Sequence, residues 1–572
     1  MPSYTAPVRD MQFILHELLK IERYNDLLPG FSDATPDTIA AILEGAAQFS
    51  QEVLQPLNPV GDREGCRLEN GKVVTPSGFK EAYQTVEISS SANMALSMYP
   101  GLTSGAIEAI EIGGTEAQKA LYLPKMIGGQ WTGTMNLTEP HCGTDLGLLR
   151  TRAEPRSDGS YRLTGTKIFI SAGEHDLAEN IIHLVLARIP GGPEGVKGIS
   201  LFIVPKFLVN PDGSLGDRNA VSCGAIEEKM GIHGNATCVM NYDGAVGYLV
   251  GEAHKGLKTM FVMMNAARLA VGVQGYSQAE VAYQNAVAYC KERLQGRALT
   301  GAKFPEQAAD PLIVHPDIRR MLMTVKVFQE GARALAYWAG LQVDIVRKHP
   351  DAETRRKAED LLGLLTPVMK AYFTDQGFSA ANLCLQCFGG HGYIAQSGME
   401  QFVRDARIAQ IYEGDNGIQA LDLVGRKLPA HKGRAIQLFF AVAGGFCEKY
   451  EDNAALSPFV RPLTEALERL VEATQWLMQH AIANPDNGGA AAMDYLYMMA
   501  LVALGYQWAQ VARICENQLS NPDDDSFDRQ FYRNKLVCAE FFMVKVLPET
   551  VAHLAKIRAG ADALMALDAE AF

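Results

Sequence analysis

The spacing of apolar residues changes twice along the chain and separates helical parts from a β-rich part. Up to about residue 130, apolar positions follow polar capping residues at helical spacing and predict helices. Between about 130 and 246, apolar and β-branched runs at 181–189 and 198–209 are separated by turns rich in glycine and proline. Helical spacing then returns in long runs. The pattern therefore predicts a mainly α protein with a central β-domain.

These changes predict four domains. They are a helical N-terminal domain (1–130), a β-domain (131–246), a second helical domain (247–430) and a C-terminal helical domain (431–572). The longest apolar run lies between Tyr495 and Ala512, in the last of them. Because this run contains Gln507 and Gln510, we predict a buried helix and no membrane insertion.

Composition narrows the class of protein. The 572 residues are 48% apolar and 20% charged, which is typical of a globular chain, and the formal net charge is −13. Lysines and arginines are scattered, and residues 431–572 hold 12 of them against 18 Asp and Glu. We therefore expect no nucleic-acid-binding surface, although one arginine or one helix N-terminus is enough to hold a phosphate-bearing ligand.

The cysteines and the N-terminus bear on the compartment. Ten cysteines are dispersed over the chain, which predicts reduced thiols and no disulfide framework. Cys384 and Cys387 form one isolated CxxC pair, and since a zinc site would need a second pair, we predict structural packing for them and no metal. The N-terminus has no basic segment followed by an apolar core. These features predict a cytoplasmic protein.

The turn at residues 413–417, with the sequence EGDNG, lies between two segments of helical spacing. Two glycines bracket residues that tolerate turn and cap geometries, and Asp415 or Asn416 is placed to cap the following helix. Glu413 stands directly behind an aromatic residue. One interpretation is that Glu413 is a solvated turn carboxylate. The other is that Glu413 is a base that points into a pocket, where Gly414 lets the backbone lie close to a ligand.

Several segments resemble the acyl-CoA dehydrogenase family. Residues 411–419, IYEGDNGIQ, are similar to the family's IYEG-x-x-x-IQ, whose Glu removes the proton α to a thioester carbonyl. Residues 135–145 resemble its flavin loop T-E-P-x-x-G-[ST]-D, and residues 167–173 resemble K-x-[WF]-I-[TS]-x-G. The resemblance extends in order from about residue 100 to 428. It implies a helical N-terminal domain, a β-barrel-like middle domain and a four-helix bundle, with an extra C-terminal helical domain as in long-form bacterial members.

The resemblance implies FAD as the cofactor. Phe169 would cover one face of the flavin, Ser171 would lie near N5 and Arg293 would contact the diphosphate. Residues 386–393 resemble Q-x-x-G-G-x-G-[FY], whose glycine pair the family uses against the flavin of a neighbouring subunit, so a homodimer is implied. The implied FAD-binding residues are Met135, Leu137, Thr138, Thr144, Phe169, Ser171, Arg293, Gln386, Gly389, Gly390, Asp415 and Gly417.

The same resemblance implies an acyl-CoA substrate. Arg268 occupies the position of the arginine in the family's D-x-x-R segment, although Asn265 stands where the family has Asp. The implied substrate-binding residues are Thr144, Arg268, Glu413 and Gly414. The acyl group is left open between a short thioether, a medium chain and a long chain.

The implied reaction is α,β-dehydrogenation of a saturated acyl-CoA to the trans-2-enoyl-CoA. Glu413 would remove the α-proton, its backbone N–H and a flavin hydroxyl would hold the carbonyl, and a hydride would pass to flavin N5. Burial beside Tyr412 is expected to raise the pKa of Glu413 toward neutrality. Electrons would pass to an electron-transfer flavoprotein. The alternatives are an acyl-CoA oxidase that uses O₂ and a non-catalytic, flavin-holding relative that binds nucleic acid.

Overall fold

The structure is a computed structural model that describes residues 2–83, 90–520 and 528–572. These residues form two compact units, one of residues 48–270 and one of residues 1–47 together with 271–572. Helices dominate the described residues, and strands are concentrated between residues 131 and 250. The predicted fold class is therefore confirmed, while the division into four domains stays a prediction.

The helices and strands have the following bounds. The α-helices are α1 Val8–Gln12, α2 Pro36–Phe49, α3 Gln55–Glu64, α4 Phe79–Tyr83, α5 Met94–Gly113, α6 Glu116–Ile127, α7 Gly256–Glu292, α8 Pro316–Lys348, α9 Ala352–Cys387, α10 Met399–Arg407, α11 Asn416–Asp422, α12 Arg434–Tyr450, α13 Ser457–Ala483, α14 Pro485–Leu519, α15 Arg529–Phe541, α16 Thr550–Ala559 and α17 Asp562–Met565. The strands are β1 Arg67–Glu69, β2 Lys72–Val74, β3 Trp131–Asn136, β4 Arg152–Pro155, β5 Tyr161–Ser171, β6 Asn180–Arg188, β7 Ile199–Pro205, β8 Phe207–Val209, β9 Leu215–Arg218, β10 Val221–Ile226 and β11 Thr237–Val250.

The large sheet of the 48–270 unit is barrel-like. Hydrogen-bonded pairing runs from β11 to β5, β4, β6 and β7, and β7 pairs back with β11, so five strands close a circuit. Strand β10 continues beyond β11, and β3 pairs in parallel with β6. The run predicted as a strand at 181–189 is β6. The run at 198–209 forms two consecutive strands, β7 and β8.

One element of this unit contradicts the helical prediction for residues 1–130. Strands β1 and β2 form an antiparallel hairpin. The turn is Asn70-Gly71, with φ of 52° and 75°, and this dipeptide favours a two-residue hairpin because both residues tolerate a left-handed backbone. The Asn70-Gly71 dipeptide was therefore a signal for a hairpin in the sequence. The prediction missed it because each strand has only three residues and the surrounding segments have helical spacing.

The core of this unit lies between β3 and the helices before it. Trp131 at the start of β3 is fully buried, and the ring of Tyr122 on α6 lies 6.4 Å from it. A Cβ at Gly133 would lie 2.4 Å from the Cβ of Ala106, so α5 packs directly on the strand. This packing fixes the end of β3, from which the predicted flavin loop continues.

The other unit is helical. Helices α8 and α9 pack along each other. The part of α7 beyond residue 270 contacts α9 at Gly275 and α8 through the ion pair of Glu280 with Arg333. Helices α12–α16 follow from the C-terminal part of the chain. Helix α14 is long and apolar enough to span a membrane by length and composition alone, but 72% of its 18-residue apolar stretch is buried in the protein. The prediction of a buried helix is therefore confirmed.

Candidate active site

The predicted turn lies between two helical segments, as expected. Helix α10 ends at Arg407, a 3-10 turn follows at Ile408–Gln410, and α11 begins at Asn416. The side chain of Asp415 caps α11 by accepting a hydrogen bond from the backbone N–H of Ile418 at 3.2 Å. Asp415 is therefore the capping residue, and Asn416 lies inside the helix.

The left-handed backbone of this turn falls on Glu413 itself. Its φ is 60° and that of Gly414 is 83°. A left-handed conformation costs a residue with a Cβ about 1–3 kcal/mol and is retained only where surrounding contacts hold it. One such contact is Gln419, whose amide donates to the backbone carbonyls of Glu413 and Gly414, at 3.2 Å each.

Side chains on both sides of Glu413 are also held. The hydroxyl of Tyr412 donates to the amide oxygen of Gln274 on α7, and burial together with the nearby Glu413 raises the pKa of Tyr412, which keeps the phenol protonated. On the other side, Asn416 is buried and accepts from the ammonium of Lys370 at 2.9 Å. Glu413 therefore stands on a short segment that is anchored at both ends.

The two predicted flavin segments of the 48–270 unit lie side by side. The backbone N–H of Ile168 donates to the carbonyl of Thr138 at 3.0 Å, and Lys167 donates to the carbonyl of Leu137 at 2.8 Å. At the end of β5, the carbonyl of Ser171 accepts from the hydroxyl of Thr134 at 2.7 Å. The residues that the sequence assigned to the flavin ring therefore occupy one edge of the barrel.

Phe169 lies on a β-bulge at this edge. The register between β5 and β11 shifts between the pairs Ile170–Cys238 and Lys167–Met240, and Phe169 has a φ of 58° and is 59% exposed. Bulges re-aim side chains and occur often beside active sites. An exposed aromatic ring held out from a strand provides a surface for stacking.

The available polar groups at the same edge fit a flavin. Within the ranges that the structure describes, the hydroxyl groups of Thr138, Thr144 and Ser171 make no hydrogen bond. Met135 and Leu137 are partly buried and pack on the core of the unit. Apolar surface with a few free donors is the composition of a cofactor site, so the residues present fit FAD.

A buried ion pair supports the loop that holds Thr138. The carboxylate of Glu139 accepts from Lys167 at 2.9 Å, from the N–H and hydroxyl of Thr151 at 3.0 and 2.6 Å, and from the N–H of Arg150 at 2.7 Å. Burial opposes ionisation of Glu139, but Lys167 and these donors outweigh it and lower its pKa. The sequence analysis assigned no role to Glu139 or Lys167, although Glu139 lies in the flavin-loop motif and Lys167 begins the second motif.

Glu139 also belongs to a group of three potential metal ligands. Its carboxylate, His141 and Cys142 offer ligand atoms within 4.8 Å of one another. However, both oxygens of Glu139 already accept hydrogen bonds, and one of them contacts the fully buried ammonium of Lys167. A cation would have to displace that ammonium, so the group does not fit a metal site.

The remaining predicted residues occupy other positions. Arg293 follows the end of α7 and is exposed, without an ion pair in the described part of the chain, whereas Arg268 is buried on the same helix. Gln386 and Gly389 lie where α9 ends, and a Cβ at Gly389 or Gly390 would meet nothing within 4 Å. Among the described residues, therefore, no backbone closely approaches this glycine pair. Asp415 and Gly417 stay at the start of α11.

Comparisons with known proteins identify the family. Residues 134–245 match the acyl-CoA dehydrogenase middle domain and residues 254–428 match the acyl-CoA dehydrogenase C-terminal domain. Residues 439–568 match a further domain described as acetyl-CoA dehydrogenase C-terminal like. The chain belongs to the acyl-CoA dehydrogenase family and is an enzyme of that class, whose cofactor is FAD.

Individual relatives share the long form with the additional domain. The 3-methylmercaptopropionyl-CoA dehydrogenase of Ruegeria pomeroyi is 40% identical over an alignment that covers 98% of this chain and 99% of the relative. A butyryl-CoA dehydrogenase of Syntrophomonas wolfei is 32% identical, with coverage of 100% and 99%. The solved structure of Caenorhabditis elegans ACDH-11 in complex with C11-CoA has a TM-score of 0.76 at 19% identity and covers 95% of this chain and 92% of its own, which shows likeness of fold.

Proposed function

We propose that this enzyme converts a saturated acyl-CoA thioester into the trans-2-enoyl-CoA, with Glu413 as the base that removes the α-proton. The observation that carries the proposal is the left-handed turn at Glu413, which neighbouring contacts hold in a costly conformation. Strain maintained in this way is typical of functional positions. Removal of a weakly acidic α-proton requires a positioned base, and the held backbone of this turn supports the assignment of that role to the carboxylate it carries.

We further propose that the edge of the barrel with Thr138, Phe169 and Ser171 binds FAD, which supplies the hydride acceptor when bound. Their free hydroxyl groups and the exposed ring support this assignment. The exposed guanidinium of Arg293 suits an anionic diphosphate. Met135, Leu137, Thr144, Gln386, Gly389, Gly390, Asp415 and Gly417 complete the proposed FAD set, and Thr144, Arg268 and Gly414 join Glu413 in the proposed substrate set.

A cytoplasmic homodimer is part of the proposal. Tyr393 is 84% exposed and Ile394 is 53% exposed, three and four residues after the glycine pair whose surroundings are open. Large apolar side chains that remain exposed beside an open backbone are suited to a protein contact. Light scattering on the purified enzyme would distinguish a dimer from a monomer.

The acyl group and the electron acceptor are proposed from the relatives. Their names include dehydrogenases of 3-methylmercaptopropionyl-CoA and of butyryl-CoA, so we propose a short acyl chain. An electron-transfer flavoprotein remains the proposed acceptor because the family resemblance of the sequence implies it. A panel of acyl-CoAs with a dye acceptor, compared by kcat/KM, tests the first assignment. Hydrogen peroxide release without an added acceptor would instead indicate an oxidase.

The Glu413→Gln substitution tests the proposed base. The variant keeps the size of the side chain but cannot accept the proton, so we expect kcat to fall by roughly 10²–10⁴-fold while the yellow flavin stays bound. Turnover with butyryl-CoA and stopped-flow flavin reduction measure the effect.

Glu353→Gln is the matched control, because Glu353 lies exposed on α9 and pairs with Arg356 on the surface. It should turn over as the parent enzyme does. Full activity in the Glu413 variant would remove this residue from the role of base.

A further inference from the structure

One carboxylate contacts residues on both sides of Glu413. Asp375 lies on α9, and its Oδ1 accepts from the side-chain amide of Gln410 at 2.6 Å and from that of Asn416 at 2.7 Å. Gln410 precedes Glu413 by three residues and Asn416 follows it by three. The carboxylate therefore joins the two ends of the turn that carries the proposed base.

The second oxygen of the same carboxylate contacts the C-terminal part of the chain. Oδ2 of Asp375 accepts from the hydroxyl of Tyr497 at 2.8 Å, and Tyr497 lies on α14. Burial and the charge of Asp375 raise the pKa of Tyr497, so the phenol keeps its proton and donates. Its ring packs against that of Tyr372 on α9 in a T-shaped arrangement with a centroid distance of 5.2 Å, which holds the side chain from a second direction.

This arrangement determines which way the carboxylate of Asp375 points. Both amide donors meet Oδ1, and Tyr497 is the donor to Oδ2 among the hydrogen bonds of the described residues. Without the phenol, the carboxylate can rotate and pull on Gln410 and Asn416. Because Glu413 is held in a left-handed conformation only by its surroundings, a looser anchor allows it to relax away from its position.

We propose that Tyr497 is a positioning residue for Glu413, acting through Asp375, so that the additional C-terminal domain takes part in orienting the catalytic base. The inference rests on the proposed role of Glu413. It gives the domain of residues 439–568 a function in the reaction. The path from Tyr497 to the turn uses one carboxylate and two amides, which are joined by direct hydrogen bonds.

The Tyr497→Phe substitution removes only the hydroxyl. We expect kcat and the rate of flavin reduction to fall about tenfold, with KM changed less than twofold, because the lost hydrogen bond to a charged group affects the placement of the base and not substrate binding. Amide hydrogen exchange of residues 408–419 should become faster. This second readout requires neither substrate nor turnover.

Tyr495→Phe is the matched control. Tyr495 lies on α14 two residues before Tyr497 and is buried. Its hydroxyl forms a hydrogen bond of 2.8 Å with Thr474 and not with Asp375. The control variant should lose comparable thermal stability and keep the parent kcat and the parent exchange rate in residues 408–419. In an Asp375→Asn background, the effect of Tyr497→Phe on kcat should largely disappear, because the two residues act in series.

The outcomes separate this inference from the proposed function. Equal kcat and equal exchange in the two tyrosine variants would overturn the positioning role even if Glu413→Gln is inactive. Faster exchange in Tyr497→Phe with a normal kcat would also overturn it, since the turn would then move without consequence for the base. If Glu413→Gln retains turnover, the proposed base is wrong, while the exchange experiment still reports whether Tyr497 orders the turn.

Discussion

At the scale of single residues, Glu139 and Lys167 form a buried ion pair that connects two motifs. The ammonium of Lys167 also donates to the carbonyl of Leu137, so one side chain touches both the loop and its supporting carboxylate. Removing one partner of such a pair leaves an uncompensated buried charge, which is far more costly than the pair is stabilising. The pair is therefore a sensitive point of the barrel edge.

The Glu139→Gln substitution should lower the free energy of unfolding by about 3–5 kcal/mol. Burial lowers the pKa of Lys167 to about 8 even beside Glu139, so without its counter-ion the buried Lys167 must either stay charged and unpaired or give up its proton on folding. Urea unfolding at pH 7 measures the loss. A double variant with Lys167→Met should recover a large part of it, and a single variant as stable as the parent would contradict this account.

The pair also makes a prediction for pH. The pKa of Glu139 is lowered from 4.5 in the folded protein, so its contribution to stability is present above that value and disappears as the pH falls through the lower folded value. The parent should therefore lose stability more steeply than Glu139→Gln below about pH 4.5.

At the scale of elements, glycines allow α7 and α9 to touch backbone to backbone. A Cβ at Gly275 would lie 2.3 Å from the carbonyl oxygen of Phe373, and a Cβ at Gly377 would lie 2.2 Å from that of Gly275. Gln274, which holds Tyr412, and Asp375 both lie within two residues of these glycines. The crossing therefore sets the positions of two anchors of the turn.

Gly377→Ala should lower the stability of the enzyme by about 2–3 kcal/mol, since the added methyl group forces the helices apart. Gly363→Ala is the control on the same helix. A Cβ there meets nothing within 4 Å, so the better helix propensity of alanine should raise stability by about 0.5–1 kcal/mol. Thermal unfolding of both variants measures these changes. Equal shifts of Tm in the two variants would contradict the close contact between α7 and α9.

The sequence was enough to predict some of these elements and not others. Apolar runs predicted β6 and β7, and the glycines of EGDNG predicted the turn. The left-handed residue could not be located, because Asp and Asn are the usual residues for that conformation and Glu413 adopts it here only through tertiary contacts. The contact of Tyr497 with Asp375 joins positions 122 residues apart, which no local spacing encodes.

At the scale of the helical unit, a buried ionic network joins its first helix, its bundle and its C-terminal part. Arg333 on α8 pairs with Asp10 and Glu280, and Lys535 on α15 pairs with Asp10 and, at 2.7 Å, with Glu330. Burial opposes the charge of Glu330, yet Lys535 and Lys326 lower its pKa to about 2. The additional domain is therefore integrated with the bundle and not appended to it.

Lys535→Met tests this integration. The change leaves Asp10 and Glu330 short of positive charge, so we expect a loss of about 3–5 kcal/mol in the free energy of unfolding. Lys545→Met is the control, because Lys545 is exposed a few residues further along, and its effect should stay within about 0.5 kcal/mol. Similar urea midpoints for the two variants would argue against the network as a structural element.

The closed circuit of strands has a mechanical consequence for the barrel edge. Thr138 follows β3 and Ser171 ends β5, and these strands are linked both by the direct contact between Thr138 and Ile168 and, the long way round, through β6, β7 and β11. In a closed circuit of strands, no strand can shift its register against a neighbour without breaking hydrogen bonds between other strands. Because β3 is hydrogen-bonded to β6 of this ring and β5 belongs to the ring, a defect in distant β7 should also disturb the spacing of the two hydroxyl groups.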